Sequence, residues 1–566
     1  MRIFRGRWRK VALFSLMAII MVSLPGCLDA GTDSSGSTNL SDSSNPSSSP
    51  AAPAILSGLP AGAPTRASLN LDTAVAPMGK SSGVYYEIFV RSFSDSDGDG
   101  VGDLQGVTNK LDYLQDLGIK GIWLMPIHPS PSYHGYDVTD YYSVNPQYGS
   151  MDDMRKLLDE AHERGIKVII DLVFNHTSNQ HPWFIDSAKG KDSKYRDWYI
   201  WAGDTGMSTD EPGAWGQQAW HRMGDSEYLG VFWEGMPDLN MDNPKVREEL
   251  IRIGQFWLKQ GVDGFRLDAA KHVYEDFKSS VNNKDVADKN QAWWQEFRKE
   301  LDEVSKDAFL VGEVWDSPAV VGPYLDNALN SGFNFDLAKL LVGSARAERA
   351  STLASSLNKM YEFFSKQSQG TFVDAPFLTN HDQNRVMSEL NGNVNRAKMA
   401  ASLLLTMPGN PFIYYGEEIG MKGTKPDEHI REPMIWTAGG KSDGQTNWEP
   451  SLHKDGVVSV DEQIKDAESL LNHYKKMISW RNEEPVLGDG GMLPFQTGND
   501  SVLTFLRVRN ETKVLAAHNL SGEPQKVDIS VYENISFSKV VLSSKDGVHL
   551  QDGQLVLPPY SSAIVK

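Results

Sequence analysis

From residue 84 onward, short apolar runs rich in β-branched and aromatic residues alternate with longer segments whose apolar residues recur every three or four positions. The segments 151–164, 244–260 and 291–304 have this longer period, which predicts amphipathic helices. The short runs predict eight buried strands, at 84–90, 121–126, 167–173, 264–267, 309–312, 332–335, 371–378 and 411–415. Because strands and helices alternate, we predict an α/β fold, a parallel (β/α)8 barrel over residues 81–485.

One connection in this pattern is too long for a simple loop. After the third predicted strand, residues 176–237 are rich in Gly and Asp and predict an inserted subdomain. It contains six tryptophans: Trp183, Trp198, Trp201, Trp215, Trp220 and Trp233. Stacking on sugar rings is one role for such residues, but we expect most of them to pack the subdomain itself.

The pattern changes again near the carboxyl terminus. A last helix is predicted over 461–481, and alternating apolar and polar residues then predict strands at 501–508, 513–518, 525–529, 539–542 and 554–557. Residues 486–566 therefore predict a small all-β domain.

The amino-terminal segment has the composition of an export signal. Five basic residues precede an apolar run over 11–24, which is shorter than the roughly 18 residues expected of a membrane-spanning helix. Residues 24–27, Leu-Pro-Gly-Cys, resemble a lipoprotein signal box, so we predict a signal peptide over 1–26 and lipidation of Cys27. Ordinary secretion is the alternative. Residues 27–80 are rich in Ser, Pro and Ala and predict a flexible tether between a membrane anchor and the barrel.

Composition narrows the classes of partner. The chain has 55 Lys and Arg against 74 Asp and Glu, a formal charge of −19, which gives no basic footprint for a nucleic acid. An acidic surface suits a neutral substrate such as a sugar. Cys27 is the single cysteine, so no disulfide forms within the chain.

Four distant segments carry acidic residues, each at the carboxyl end of a predicted strand. They are 171–176 (Asp-Leu-Val-Phe-Asn-His), 264–268 (Gly-Phe-Arg-Leu-Asp), 312–315 (Gly-Glu-Val-Trp) and 379–382 (Thr-Asn-His-Asp). Because barrel enzymes place their chemistry at the carboxyl ends of strands, we expect these segments to form one pocket. Cleavage of a glycosidic bond needs one protonated and one ionised carboxyl group, and Asp268, Glu313 and Asp382 are the candidates.

The neighbours of these acids suggest their protonation states. Arg266 lies two residues before Asp268, on the same face of the strand, where its positive charge would keep Asp268 ionised. Glu313 follows an apolar strand and precedes Trp315, and desolvation there would raise its pKa toward that of a general acid. His176 and His381 would donate hydrogen bonds to sugar hydroxyls.

These segments resemble the four conserved sequence regions of the α-amylase family of glycoside hydrolases, and the resemblance covers about residues 83–566. It implies a (β/α)8 barrel with a subdomain after strand three, a carboxyl-terminal β-sandwich and a retaining double displacement. It further implies that Asp268 is the nucleophile, Glu313 the acid/base and Asp382 the transition-state stabiliser. Arg266, His176 and His381 would line the subsite of the attacked sugar.

The resemblance extends to residues that set specificity. Tyr136 would stack on the attacked sugar, and Asp137 would bind its outer hydroxyls, paired with Arg431. Lys271 and His272 resemble the pair with which true α-amylases hold the sugar beyond the cut. Residues 236–240, Met-Pro-Asp-Leu-Asn, instead resemble a group intermediate between oligo-1,6-glucosidases and neopullulanases.

We therefore predict endo-acting hydrolysis of α-1,4-glucosidic bonds in starch and maltooligosaccharides outside the cell. The alternatives are neopullulanase, cyclomaltodextrinase or oligo-1,6-glucosidase activity, or a starch-binding lipoprotein without catalysis.

An acidic loop follows the first predicted strand. Oxygen ligands stand at alternate positions in this loop: Asp95, Asp97, Asp99, Val101 through its carbonyl, and Asp103. The twelfth position is Gly106 where an EF-hand has Glu, so the loop is not an EF-hand. It resembles the calcium loop of the oligo-1,6-glucosidase branch and predicts a structural Ca²⁺. The alternative is an acidic turn that caps the next helix.

Overall fold

The computed structural model describes residues 67–74, 79–206, 208–210, 212–213, 216–274, 284–349, 352–439 and 444–566. The predicted signal peptide, Cys27 and most of the predicted tether lie outside these residues.

The described residues form seventeen named strands. They are β1 Tyr85–Ile88, β2 Gly121–Leu124, β3 Lys167–Leu172, β4 Trp220–Met223, β5 Ser226–Leu229, β6 Gly264–Leu267, β7 Phe309–Gly312, β8 Ser331–Gly332, β9 Phe412–Tyr414, β10 Gly491–Pro494, β11 Val502–Arg509, β12 Thr512–Asn519, β13 Gln525–Asp528, β14 Val540–Ser543, β15 His549–Gln551, β16 Gln554–Leu557 and β17 Ser561–Val565. The helices are α1 Val90–Phe93, α2 Leu104–Asn109, α3 Leu111–Leu117, α4 Met151–Glu163, α5 Pro182–Ser187, α6 Ala202–Thr205, α7 Pro244–Gln260, α8 Lys284–Asp302, α9 Pro318–Val321, α10 Phe335–Ala347, α11 Leu353–Gln367, α12 Val386–Glu389, α13 Val394–Thr406, α14 Asp427–Ile430, α15 Val460–Gln463, α16 Leu470–Glu483 and α17 Val486–Asp489.

Seven strands form the parallel sheet of the barrel, in the order β8-β7-β6-β3-β2-β1-β9. The seventh predicted strand, 371–378, forms no ladder in the structure. Instead, Ala375 bridges to Phe333 beside β8 and Phe377 bridges to Phe412 in β9, so this segment links the two edges of the sheet. Pro376 lies between the two bridges and has no N–H to donate, which explains why pairing here is reduced to single bridges.

Helix ends follow the capping signals in the sequence. Helix α4 begins with a capping box between Ser150 and Asp153, and α7 ends at Gly261 in the left-handed conformation. The predicted helix 291–304 is the second part of the longer α8. The predicted helix 461–481 was wrong as one element: it is divided into α15 and α16, because the Ser469 side chain caps a new helix by accepting from Asn472 N.

Aromatic side chains fill the interior of the barrel. The ring centroid of Tyr85 lies 5.5 Å from Phe309 and 5.0 Å from Phe412. Above this layer, Trp123 packs edge-on against His381, and the guanidinium of Arg266 lies 5.2 Å from its ring centroid. The candidate site therefore has a rigid aromatic floor.

Most of the predicted tryptophans that the structure describes pack the inserted subdomain, and Trp215 lies outside the described residues. Trp198, Trp201 and Trp220 are buried, around the antiparallel hairpin of β4 and β5. Trp233 differs, because 45% of its surface is exposed. Bridges from His176 to Asp238 and from Tyr199 to Leu239 tie the subdomain to the barrel.

The carboxyl-terminal residues form two antiparallel sheets, β10-β11-β12-β17-β14 and β13-β16-β15. Side chains from both sheets, including Leu515 and Leu555, share one apolar cluster, which makes a β-sandwich. The five predicted strands are present, and β10, β15 and β17 were missed.

Residues 67–74 correct the predicted end of the tether. Ala67 bridges to Tyr532, and Leu69 exchanges two hydrogen bonds of 2.9 and 2.7 Å with the Asn534 side chain. Leu69 and Leu71 also pack on the apolar cluster of the sandwich. Residues 67–74 are therefore part of the folded carboxyl-terminal domain, because Leu69 and Leu71 bury apolar surface against it.

Within the described ranges, no helix combines the length and apolar character needed to cross a bilayer.

Candidate active site

The candidate site is centred on one buried arginine. Arg266 Nη1 donates to Asp171 Oδ1 at 2.8 Å and to Asp268 Oδ1 at 2.6 Å, and its Nη2 donates to Glu313 Oε2 at 2.6 Å. Arg266 is 1% exposed, and Asp171 is fully buried. One guanidinium thus joins three carboxylates, of which Asp268 and Glu313 were predicted as catalytic.

The barrel strands bring these groups together. Asp171 in β3 pairs in register with Arg266 in β6, and Arg266 pairs with Val311 in β7. Asp268 and Glu313 directly follow the last residues of β6 and β7. The acids therefore lie at the carboxyl ends of adjacent parallel strands, as the sequence predicts.

The backbone is strained directly after Asp268, where it approaches Glu313. Ala269, next to Asp268, has φ of 44°, in the left-handed region that non-glycine residues rarely adopt. This conformation lets Ala269 N donate to Glu313 Oε2 at 3.1 Å. Strain of this kind persists where the surrounding structure fixes it, and it concentrates at functional sites.

Burial changes the proton affinity of all three carboxyl groups. It raises the pKa of Asp171 and of Asp268 to about 6, although the positive charge of Arg266 acts in the opposite direction. Burial also raises the pKa of Glu313, against the same opposing charge. Arg266 therefore acts on Asp268 in the predicted direction. Burial outweighs it, but a pKa of about 6 still leaves Asp268 largely ionised at neutral pH.

His381 is a second centre of positive charge. Burial alone would lower its pKa, but the carboxylates of Asp382 and Glu87 raise it to about 9, so both ring nitrogens carry protons. Nδ1 donates to Glu87 Oε1 at 2.5 Å, and Nε2 lies 2.6 Å from Tyr136 Oη and 3.1 Å from Asp382 Oδ2. His381 thereby links Asp382 to Tyr136.

Asp382 is held as an anion. Burial opposes its ionisation, but His381 and Arg431 keep its pKa well below its usual range. Arg431 Nη2 donates to Asp382 Oδ1 at 2.9 Å and to Asp427 Oδ2 at 3.0 Å. The side chain of Asp382 is still 29% exposed, so it faces the cleft.

Tyr136 lies between the two centres. Its hydroxyl donates to Asp171 Oδ2 at 3.1 Å, and its ring is within 10° of parallel to His381. The neighbouring Asp137 accepts from Ser130 Oγ at 2.6 Å and from Ser132 Oγ. The predicted pairing of Asp137 with Arg431 was therefore wrong, because Arg431 is taken by Asp382 and Asp427.

His176 is buried and neutral. Desolvation lowers its pKa to about 3, and its Nε2 donates to Tyr136 O at 3.0 Å. Its Nδ1 lies 3.3 Å from the Asn175 amide, which fixes this tautomer. A hydrogen bond from His176 to a sugar would have to be shared with the Tyr136 carbonyl.

Lys271 and His272, predicted to hold the sugar beyond the cleaved bond, lie three and four residues after Asp268. Lys271 Nζ donates to Asp316 Oδ2 at 2.9 Å. The ring of His272 packs edge-on against Phe232, with centroids 6.0 Å apart, and Phe232 also lies 5.2 Å from His176. Phe232 thus spans the space between His176 and His272.

The acidic loop is a separate feature. Carboxylate oxygens of Asp95, Asp97 and Asp99 lie within 4.8 Å of one another. Among the described residues, no Lys, Arg or His nitrogen forms an ion pair with them. Gly98 N and Gly100 N donate to Asp95 and fold the loop around it. Three clustered carboxylates with no cationic side chain fit a divalent cation that prefers oxygen ligands.

Asp103 has a different role from the other three acids. It caps α2 by accepting from Gly106 N at 2.7 Å, and it also binds Ser96 N and Oγ. The capping alternative is therefore confirmed for Asp103, and its contribution to metal binding, like that of the Val101 carbonyl, stays a prediction.

Three acids of the site were missed from the sequence. Asp171 opens one of the four segments, and its position in a β-strand otherwise composed of apolar residues after Lys167 was the available signal. Glu87 is likewise a single acid within the apolar β1. Asp316 gave no signal in the sequence, because an acid in the loop after a strand is common.

Comparisons with known proteins agree with this geometry. The family model for the alpha amylase catalytic domain matches residues 87–490, and a model for the alpha-amylase SusG C-terminal domain matches residues 502–564.

Individual relatives cover most of the chain. An alpha-amylase 3 of Dictyoglomus thermophilum is 43% identical over 85% of this chain and 93% of its own length. An oligo-1,6-glucosidase of Bacillus cereus is 31% identical over 85% of this chain and 98% of its own. The crystal structure of an alpha-amylase from H. orenii superposes with a TM-score of 0.79 at 46% identity, covering 86% of this chain and 99% of that one. With its barrel, its clustered carboxylates and these matches, the chain belongs to the α-amylase family of glycoside hydrolases.

Proposed function

We propose that this glycoside hydrolase cleaves internal α-1,4-glucosidic bonds of starch and maltooligosaccharides outside the cell, with retention of configuration. The observation that carries the proposal is the bonding of Asp268 and Glu313 to the two ends of one guanidinium. A planar guanidinium holds two carboxylates side by side. Such an arrangement favours the separation of about 5 Å typical of retaining enzymes over the longer gap that an inverting enzyme leaves for water.

Asp268 is the nucleophile in this proposal. Arg266 occupies Oδ1, so we assign Oδ2 as the oxygen that attacks C1 of the sugar. As the new C1–O bond forms, the glycosidic C1–O bond breaks and the leaving oxygen takes a proton from Glu313. Burial raises the pKa of Glu313 above its ordinary value, which favours the protonated form that a general acid needs.

Water completes the reaction in a second step. The carboxylate of Glu313 accepts a proton from a water molecule while the water oxygen attacks C1. The ester bond between C1 and Asp268 breaks at the same time. Asp268 is then ionised again and Glu313 is protonated, so both are restored.

The transition states of both steps carry positive charge on the sugar. Asp382, held as an anion by His381 and Arg431, would stabilise that charge and bind sugar hydroxyls at the exposed part of its carboxylate. Tyr136 would stack on the same sugar, with its orientation fixed by Asp171 and His381. Asp137 would hold the outer hydroxyls together with Ser130 and Ser132.

A second candidate is neopullulanase, cyclomaltodextrinase or oligo-1,6-glucosidase activity. The segment 236–240 favours it, because its resemblance is to those enzymes and because an oligo-1,6-glucosidase is among the relatives. In the structure this segment borders the site: Asp238 accepts from the Asn175 amide at 3.0 Å, next to His176.

The time course of products from soluble starch tests the proposal, with maltoheptaose, pullulan and a cyclodextrin run in parallel. A fast loss of viscosity with mixed α-configured oligosaccharides supports endo-acting α-1,4 hydrolysis. Panose from pullulan, or an opened cyclodextrin, as the fastest product would move the enzyme to the second candidate. If none of the four substrates is cleaved, a sugar-binding protein without activity replaces both.

We also propose that the loop of Asp95, Asp97 and Asp99 holds a structural Ca²⁺, with the Val101 carbonyl and Asp103 as further ligands. When bound, the ion would neutralise the clustered carboxylates and fix the loop between α1 and α2. The loop is not bonded to Arg266 or to its carboxylates, so the ion takes no part in the chemical steps.

Export and membrane attachment through Cys27 complete the proposal. Positive charges before an apolar run, followed by a single cysteine, support it. Replacement of Cys27 by Ala in the producing cell is expected to move activity from the membrane fraction to the medium. Equal membrane binding by both forms would contradict lipidation.

A further inference from the structure

One buried acid of the barrel has no part in the proposed chemical steps. Glu87 is the single acidic residue of β1 and is 1% exposed. It lies two residues after Tyr85, on the same side of the strand, and it pairs in register with Trp123 of β2 and Tyr414 of β9. A carboxylate buried this deeply is costly in free energy unless a partner compensates its charge.

The partner of Glu87 is the imidazole of His381. Glu87 Oε1 accepts a hydrogen bond from Nδ1 at 2.5 Å, and both side chains are buried. In the part of the chain that the structure describes, no Lys or Arg nitrogen forms an ion pair with Glu87. The imidazole is therefore the cation that compensates this carboxylate.

The proton on the other ring nitrogen decides how the hydrogen bonds of the site are directed. Nε2 of His381 lies 2.6 Å from Tyr136 Oη and 3.1 Å from Asp382 Oδ2. With its proton, Nε2 donates toward these oxygens, and the Tyr136 hydroxyl donates to Asp171 Oδ2 at 3.1 Å. Without that proton, Nε2 presents a lone pair to Asp382, and the Tyr136 hydroxyl turns toward Nε2 and away from Asp171.

We propose that Glu87 is a positioning residue, which keeps His381 doubly protonated so that Tyr136 and Asp382 hold the sugar in the geometry of the transition state. This inference rests on the proposed function, because that function assigns Tyr136 and Asp382 to the attacked sugar. Further charged and titratable groups surround this pair from neighbouring elements: Tyr136 after β2, Asp171 in β3, Asp382 beside His381, Arg431 after α14, and Tyr414 and Glu417 in or after β9.

The variant Glu87→Gln removes the charge and keeps the contact. Glutamine has nearly the same size, and its amide oxygen accepts a hydrogen bond from Nδ1. In the wild type, the carboxylates of Asp382 and Glu87 raise the pKa of His381 to about 9, against the effect of burial. Loss of one opposite charge at this distance lowers such a pKa by about 1–3 units, so Nε2 would lose its proton closer to neutral pH.

The pH dependence of kcat/KM for α-maltosyl fluoride reports this proton. Asp268 displaces fluoride, which leaves with the electron pair of the C1–F bond and needs no proton, so ionisation of Glu313 does not limit this step. We expect kcat/KM of the wild type to fall near pH 9, and that of Glu87→Gln to fall at least about one pH unit lower. At about pH 8 the variant should be about tenfold slower than the wild type, and the difference should shrink toward about pH 6.

Two further variants separate the charge of Glu87 from structural damage. Glu417 is another buried carboxyl group, directly after the strand next to Glu87 in the sequence of pairing, and burial raises its pKa to about 8. Glu417→Gln removes this second source of an alkaline change and should keep the pH profile of the wild type. Glu87→Asp keeps the negative charge on a shorter side chain, so its profile should lie between those of the wild type and Glu87→Gln. If Glu87→Gln does not fold, the same shift is measured in Glu87→Asp.

The outcomes are distinct. A loss that is equal at every pH, or an alkaline fall that is not shifted, overturns this inference, while wild-type activity on maltoheptaose upholds the proposed function. A wild type that cleaves neither α-maltosyl fluoride nor maltoheptaose overturns the proposed function itself, before the variants are compared.

Discussion

Two of the places where arginines are buried in this protein have opposite surroundings. Arg266 in the candidate site bonds to three carboxylates. Arg481 and Arg507, between the barrel and the sandwich, are also buried but bond to backbone carbonyls, among them those of Thr406, Met407 and Leu487. Within the described residues, neither of these two has a carboxylate within ion-pair distance.

Two of these carbonyls, those of Thr406 and Met407, lie at the end of a helix. Thr406 is the last residue of α13, whose final carbonyls have no partner within the helix. A guanidinium there satisfies them and matches the negative end of the helix dipole. Burial lowers the pKa of Arg481 to about 10 and of Arg507 to about 9, so both stay charged at neutral pH.

The difference shows what distinguishes a site of proton transfer from a structural contact. At the junction no partner can take a proton near neutral pH, so the contacts do not change with pH. At Arg266 three carboxyl groups share one positive charge, and burial raises the pKa of each. These carboxyl groups can therefore gain or lose a proton while Arg266 still holds the others in place.

The largest expected effect comes from the nucleophile. Asp268→Asn should lower kcat on maltoheptaose by a factor on the order of 10⁴ or more, because no ester can form. The folded structure should persist, since Arg266 keeps Asp171 and Glu313 as partners. Near-normal hydrolysis by purified Asp268→Asn would refute the assignment, and Asp242→Asn, an exposed acid on the surface, is the matched control.

Replacement of one arginine from each region by glutamine tests the comparison itself. Arg266→Gln leaves buried carboxylates without a cation and should abolish activity as well as lower the free energy of unfolding by about 3–5 kcal/mol. Arg507→Gln leaves carbonyls unsatisfied and should lower the free energy of unfolding by about 3 kcal/mol, with kcat/KM unchanged. Urea unfolding and maltoheptaose kinetics measure both, and a large loss of kcat/KM in folded Arg507→Gln would break the distinction.

A change of pH should separate activity from stability. Below about pH 6, Asp268 takes up a proton, and kcat/KM should fall about tenfold per pH unit. A carboxyl group whose pKa is raised on folding stabilises the folded state as pH falls through that value, so its contribution to stability increases as activity declines. Asp268→Asn lacks this contribution, and its urea midpoint relative to wild type should fall between pH 7 and 5. A parallel pH dependence of the two midpoints would contradict the raised pKa.

The acidic loop contrasts with the site around Arg266, because the carboxylates of Asp95, Asp97 and Asp99 are clustered without an arginine among their partners. Removal of calcium by a chelator should lower the free energy of unfolding by about 3 kcal/mol at an initial calcium concentration of 100 times Kd, seen as a lower Tm. Asp97→Ala should have the lower Tm from the start and lose little more on chelation. An unchanged Tm in the wild type would show that the loop tolerates its charges without an ion.

Much of the fold could be predicted, because buried parallel strands leave a strong apolar signal and capping residues mark helix ends. Strand pairing at 371–378 could not, since Pro376 limits hydrogen bonding without changing the apolar pattern. The interruption between α15 and α16 depends on Ser469, whose capping role is indistinguishable in sequence from that of any exposed serine.

The residues of the candidate site that lie at or near strand ends were predicted from the sequence. Asp268, Glu313, Asp382, Arg266 and His381 do converge in the structure. The predicted pairing of Asp137 with Arg431 was wrong because Asp382 and Asp427 bind Arg431 instead. Asp427 begins the short helix α14, and Arg431 directly follows that helix. The positive pKa shift of Asp268 also escaped prediction, because the cost of burial depends on the whole pocket and not on the nearest arginine.

The covalent intermediate tests the central claim most directly. A 5-fluoro derivative of α-maltosyl fluoride keeps a good leaving group but slows both steps through its destabilised transition states, so the sugar should accumulate on the enzyme. Peptide mass spectrometry is predicted to find the sugar attached to Asp268. Attachment to Asp171, Glu313 or Asp382, or turnover to β-configured product with no attached sugar, would contradict the account.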